Sequence, residues 1–322
     1  MSYRINPKAS VPDDLKRIAR EELESGSRRL LQATDTSRDE AIHEARKSLK
    51  KTRAVLRLVR SELGADGRQQ NQRLRDLGRT LSDYRDAGAM VGMFDQIREK
   101  YETDLGKRTL GTVRRALVVR KDKAEKASGI QAALNDIGEK MQAEASSTGA
   151  WILTEDGFAA IAPGLKNSFR QGRKALRRAE KDSAPETFHE CRKRAKDHWY
   201  HVRLLEELWT SDLQEHEKSL KKLEQALGDD HNLTVMEGLL NDGSEPCGSP
   251  ADRKMLLKLI GRYRKDLRKE ALSLGADVYD EKPKQFVKRI GSLWPSGSPK
   301  PAPKPVRKQT VTKAIKTTNT AA

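Results

Sequence analysis

Cysteine is nearly absent from this sequence. Cys191 and Cys247 stand alone, without CxxC spacing, which excludes a disulfide framework and argues against a structural zinc site. Aromatic residues make up only 5% of the chain, and its 12 prolines gather toward the C-terminus, so most of the sequence lacks the punctuation that many short strands require. No apolar run approaches the roughly 18 residues of a membrane-spanning helix. The opening segment MSYRINPKASVPDD also lacks the basic-then-apolar layout of a secretory signal, so a cytoplasmic protein is expected.

Charge is what the chain has in abundance. Asp, Glu, Lys and Arg make up 34% of its 322 residues, and the formal net charge is +17. That balance points to an acidic partner: nucleic acid, an anionic surface or another phosphate polymer. Its distribution is uneven, because no acidic residue follows Glu281 while ten Lys and Arg do, leaving 17 − 10 = +7 for residues 1–281. A polyanion site in the folded part must therefore come from arrangement rather than bulk charge. Residues 293–322, rich in Pro and Lys with little to bury, read as a disordered basic tail able to bind nucleic acid weakly.

Apolar spacing indicates an all-α chain of long helices. The clearest segments are 12–33, 41–63 up to Gly64, 68–84, 186–209, 251–274 and 282–292, with helices of uncertain boundary across 86–150. Set 146 residues apart, HEARKSLKKTRAVLRL from His43 matches HECRKRAKDHWYHVRL from His189 at seven of sixteen positions. The same offset superposes Leu74, Leu77 and Leu81 on Leu220, Leu223 and Leu227, then Met90 on Met236. Two copies of one helical unit follow, about 10–150 and 151–292, within a single domain over 1–292.

Within the first copy, Ile42, Ala45, Leu49, Thr52, Leu56, Val59 and Leu63 form a mostly apolar seam. One residue further on at each step, His43, Arg46, Lys50, Arg53, Arg57 and Arg60 form a wholly basic stripe of roughly 25 Å. Like charges at these spacings destabilise a helix by a few tenths of a kcal/mol per pair unless an anion neutralises them. The second stripe is His189, Arg192, Lys196, Trp199, Arg203 and Glu206, with Lys47 and Lys193 flanking the two. Arg can chelate phosphate oxygens, Lys offers a compact charge, and His gains a proton near phosphate. Catalysis is not expected, since there is no HExxH, Gly-rich phosphate loop or suitably spaced carboxylate pair, and Arg and Lys at +3 and +4 from each histidine would repel a metal. No cofactor is called for. Cys191 and the Trp199, Tyr200, Trp209 group read as packing; His198 and His201 fit packing or function equally.

The two H-x-x-R-K-x-x-K helices, HEARKSLKK and HECRKRAKD, each followed by an L-x-D element in LSDYRDAGAM and LGDDHNLTVM, resemble those of the CHAD family, the conserved-histidine α-helical domains. The resemblance spans roughly residues 10–285. It implies two similar antiparallel four-helix bundles about a pseudo-twofold, with a central basic channel for inorganic polyphosphate, and association with polyphosphate granules. Carried over by position, His43, Arg46, Lys47, Lys50, Arg53 and Arg57 would form one wall and His189, Arg192, Lys193, Lys196 and Arg203 the other, with Arg85 and His231 closing the ends. Trp199 in place of Arg53 and Glu206 in place of Arg60 depart from this symmetry and shorten or seal the second wall. Neither an ExExK signature nor a triphosphatase β-tunnel, which often accompanies the family, is found. The alternatives are a nucleic-acid binder using the basic helices and tail, and a metal-dependent phosphohydrolase.

Overall fold

The computed structural model describes residues 3–105, 110–125, 129–242 and 249–295, the side chains of 83–87, 124 and 125 excepted. Among these residues the regular structure is entirely helical. In the first half the helices are α1 (Val11–Leu31), α2 (Arg38–Leu58), α3 (Arg60–Lys100), a single turn α4 (Glu102–Leu105), α5 (Gly111–Glu125) and α6 (Ile130–Ser147). The second half holds α7 (Gly157–Lys181), α8 (Pro185–Leu204), α9 (Ser211–Asp242), α10 (Pro250–Val278) and α11 (Pro283–Ser292).

Local chemistry sets the starts. Pro12 opens α1 under a Ser10 cap, Pro250 opens α10 under a Ser249 cap, and Pro185 opens α8, each ring supplying a helical φ where no N–H bond is lost. Asp156 caps α7 through Gly157 N and also accepts from Val11 N at 2.8 Å, so one carboxylate fixes the first turns of α1 and α7.

Gly64 interrupts the helical run where the sequence places a stop. With φ +57° and ψ −126° it kinks α3 between two helical segments, a conformation that costs only glycine little. Beyond it the helix continues to Lys100, past the expected stop near residue 84. The reason is packing: Leu74, Leu81, Met90, Met93, Phe94 and Ile97 are all buried and keep one continuous seam.

Helix order recurs at the sequence offset. The first residues of α1 and α7 stand 146 apart, as do the last residues of α2 and α8. Past the Gly64 kink the chain is helical from residue 65, and α9 begins at Ser211, again 146 later. Neighbours repeat too: α1 packs on α2 and α6 as α7 packs on α8 and α11, α2 on α3 as α8 on α9, and α3 on α5 as α9 on α10. The halves meet where α2 touches α7 and α8 and where α3 touches α9. Buried apolar residues from Tyr3 to Ile290 form one contiguous core across this junction. The segment 296–322, which holds nearly all of the expected disordered tail, lies outside the described residues.

The junction leaves no room at Gly164, where an added Cβ would stand 1.9 Å from the Leu58 carbonyl oxygen. That neighbour is backbone and cannot rotate away. We therefore expect Gly164→Ala to destabilise the protein by at least about 1–3 kcal/mol, the range for overpacking. An unchanged denaturant midpoint would show that α7 can slide on α2.

Candidate functional site

Three helices enclose a cleft of about 710 Å³. Arg46, Lys50, Arg53 and Arg57 enter it from α2, Arg60, Arg68, Arg75 and Arg79 from α3, and Arg192, Lys193, Arg194 and Lys196 from α8, with His189 beside them. Against these four cations from each helix the lining holds one carboxylate, Asp197. The stripes of α2 and α8 thus come together because their apolar seams, Ala45, Leu49 and Leu56 on one helix and Cys191, Ala195 and Val202 on the other, are buried.

Links between α2 and α8 fix the spacing of the walls. Arg57 Nη2 donates to Asp197 Oδ1 at 2.5 Å, and the buried His201 donates from Nε2 to the Ala54 carbonyl at 2.9 Å. On the α3 side, Asn71 Oδ1 accepts from Arg53 Nε at 3.2 Å and Arg57 Nη1 at 3.4 Å. Carboxylates behind the lining restrain α8: Glu190 holds Lys193 and Arg194, and Glu224 holds Lys196. Among the described residues, the buried Arg192 Nε, Arg57 Nε and His189 Nδ1 have no hydrogen-bond partner.

Concentrating so much charge of one sign has a measurable electrostatic consequence. Burial, then the Lys196, Arg46 and Arg192 cations, pushes the Lys50 ammonium well below its ordinary range. Arg53 falls to about 10 through burial and Arg57. Burial, then Lys193 and Arg192, lowers His189, while His231 drops to about 4 through burial, Arg192 and His189. An anion in the cleft removes the Coulombic part of each shift and returns protons to these groups.

The sequence-assigned residues divide by location. Eight line the cleft: Arg46, Lys50, Arg53, Arg57, His189, Arg192, Lys193 and Lys196. His231 lies outside it, its ring 4.5 Å from that of His189, in a neighbouring cavity of about 610 Å³ that His189 and Lys193 also border. His43 is exposed beside Glu44 at 3.8 Å, and Lys47 pairs with Glu44 at 3.2 Å. Arg203 stacks over the Trp199 ring at 5.2 Å, and neither borders the cleft, so the α8 wall ends near Tyr200. The Arg85 side chain lies outside the described residues.

Sequence reasoning missed the third wall. Arg68, Asn71, Arg75, Gly78 and Ser82 follow a 3-4 spacing on α3 and all line the cleft. The interval is readable in the sequence, beside the face that carries Leu74, Leu77 and Leu81. Cys191 and His198 are buried in the core. Among the described residues no group of three His, Cys, Asp or Glu could hold a metal ion, and no helix is long and apolar enough to cross a membrane.

Comparison with known proteins gives a consistent picture. The family model of the CHAD domain matches residues 14–241. The fold is similar to the crystal structure of the CHAD domain from the plant Ricinus communis, with a TM-score of 0.54 and 16% identity over 86% of this chain and 94% of that one. No curated protein matches the sequence.

Proposed function

Because the chain belongs to the CHAD domain family, we propose that it binds inorganic polyphosphate in the cleft between α2, α3 and α8 and catalyses no reaction there. The observation that carries this reading is the lining itself, four cations from each of three helices with Asp197 as the one carboxylate among them, while Asp76, Glu190 and Glu224 pair with some of these cations from outside the lining. A linear polyanion satisfies such a surface along its length, as compact phosphates or isolated carboxylates do not. Buried Arg57 and Arg192 nitrogens without acceptors among the described residues supply directional donors in addition to charge.

The same lining argues against a nucleic-acid groove. Tyr200 is its one aromatic residue and is 3% exposed, so bases would find no stacking platform. A protein that holds the polymer in this way would concentrate at polyphosphate granules, with the basic tail adding weak contacts to the same or another polyanion.

Calorimetric titration of the full chain with polyphosphate, and separately with duplex DNA, tests the proposal. The Arg46→Ala/Lys50→Ala/Arg192→Ala/Lys196→Ala variant should lose roughly a thousandfold in polyphosphate affinity at moderate salt, and the wild type should bind more weakly as salt rises. Repeating the titration in buffers of different ionisation enthalpy should reveal net proton uptake near pH 6, since an anion raises His189 and His231. Unchanged binding by the variant, or equal affinity for DNA, would refute the reading.

A further inference from the structure

A second basic surface lies outside the cleft. On α7, Lys166, Arg170, Lys174, Arg177 and Lys181 follow at 4, 4, 3 and 4 residues and are all exposed, with Arg178 beside the last two. They span about 22 Å of helix. The opposite face, including Ile161, Leu165, Phe169 and Leu176, is buried. Among the described residues none of the six cations forms an ion pair; Arg170 donates only to Asn167 Oδ1, at 2.8 Å.

An ordinary solvated face does not account for this run. The matching positions 146 residues earlier are Arg20, Glu24, Arg28 and Leu31 on α1 and Asp35 just past its end, a mixed surface on a helix with the corresponding place and corresponding packing partners. The fold therefore does not require cations there. Repeated i,i+3 and i,i+4 like charges weaken α7 unless something anionic offsets them.

The run also connects to the cleft. Arg178 lines the neighbouring cavity with His189, Lys193 and His231, and His189 and Lys193 line the cleft as well. That cavity also holds the carboxylates Glu186, Glu190 and Asp230; Glu190 is paired with Lys193 and Arg194, and Asp230 with Arg264 and Arg268, so Lys193, the two histidines and Arg178 mark a path from the cleft to the outer face of α7.

We propose that α7 is an exit track on which a long polyphosphate chain, leaving the cleft past His189 and His231, continues along the protein surface. This rests on the cleft reading and extends it to chain-length selectivity: short chains contact the cleft alone, and long chains contact both.

The test compares two polyphosphates on the full chain, one no longer than about 25 Å extended, the length of the α2 stripe, and one at least twice as long. The Arg170→Gln/Lys174→Gln/Arg177→Gln variant, whose changes are all exposed, should bind the short chain like wild type. For the long chain it should bind roughly tenfold more weakly, with a salt slope smaller by about 2. Equal long-chain affinity and slope in variant and wild type would overturn the exit track, as would loss of duplex DNA binding with long-chain binding intact. The Arg192→Ala/Lys196→Ala variant separates the two readings: if it binds the short chain normally, the cleft assignment fails first and the track fails with it.

Discussion

Between pH 6.5 and about pH 4 the ligand-free protein is expected to lose several kcal/mol of stability. Two buried histidines and one half-buried one cause this. His198 is fully buried, with Nε2 3.3 Å from His216 Nε2 and its ring packed edge-on against Phe169 and Phe286. Burial, then the neighbouring histidines, holds His198 well below its ordinary value. Burial lowers His201 and His216 to about 4 each.

In the unfolded chain these imidazoles protonate near pH 6.5, whereas in the fold they stay neutral until far lower pH. The unfolded state therefore binds more protons across this window, and stability falls as pH falls. At about 1.4 kcal/mol per unit, His201 and His216 contribute roughly 3 kcal/mol each. Together, about 6 kcal/mol, they fall within the 5–15 kcal/mol typical of a whole folded domain's stability. Denaturant midpoints at pH 7, 5.5 and 4.5 measure it, and a flat profile would exclude the histidines as the acid-labile element. A His198→Phe/His216→Leu variant should retain a larger fraction of its own pH 7 stability at pH 4.5.

Removing the Asp230 carboxylate should cost about 3–5 kcal/mol, the range for breaking a buried ion pair by deleting one partner. Asp230 is 3% exposed. It accepts from Arg268 Nε at 2.8 Å and Arg264 Nε at 3.3 Å. Arg268 in turn donates to the Ser183 carbonyl at 2.6 Å and lies over the Phe188 ring at 4.4 Å, so one carboxylate ties α9 and α10 to the turn that starts α8. Asp230→Ala leaves Arg268 half-buried without its anion, while Arg264 keeps Glu237, and urea denaturation of the variant should read the loss directly. Asp230→Asn, which keeps an acceptor, should cost less; equal losses in the two variants would mean that the carboxylate charge, rather than an acceptor of this shape, holds the joint.

Much of this was legible beforehand because helical periodicity is local. The 3-4 spacing that separates Ile42, Ala45 and Leu49 from Arg46, Lys50 and Arg53 needs no knowledge of the rest of the chain, and it identified α2 and α8 as the helices that carry the cleft. Where spacing is interrupted only weakly, as after residue 84, the end of α3 was misjudged, since buried residues far along the chain decide whether a helix continues.

By itself the sequence determined the all-helical character, the recurrence at 146 residues and the basic faces of two helices, because each follows from intervals within a few turns. Only the tertiary structure decided which helices face one another. Packing brought Arg68, Arg75 and Arg79 of α3 to the cleft, turned Arg203 onto Trp199 and moved His231 next door to His189. A helix carries its side chains in every direction, and which of those directions becomes a wall is set by contacts between residues distant in the chain.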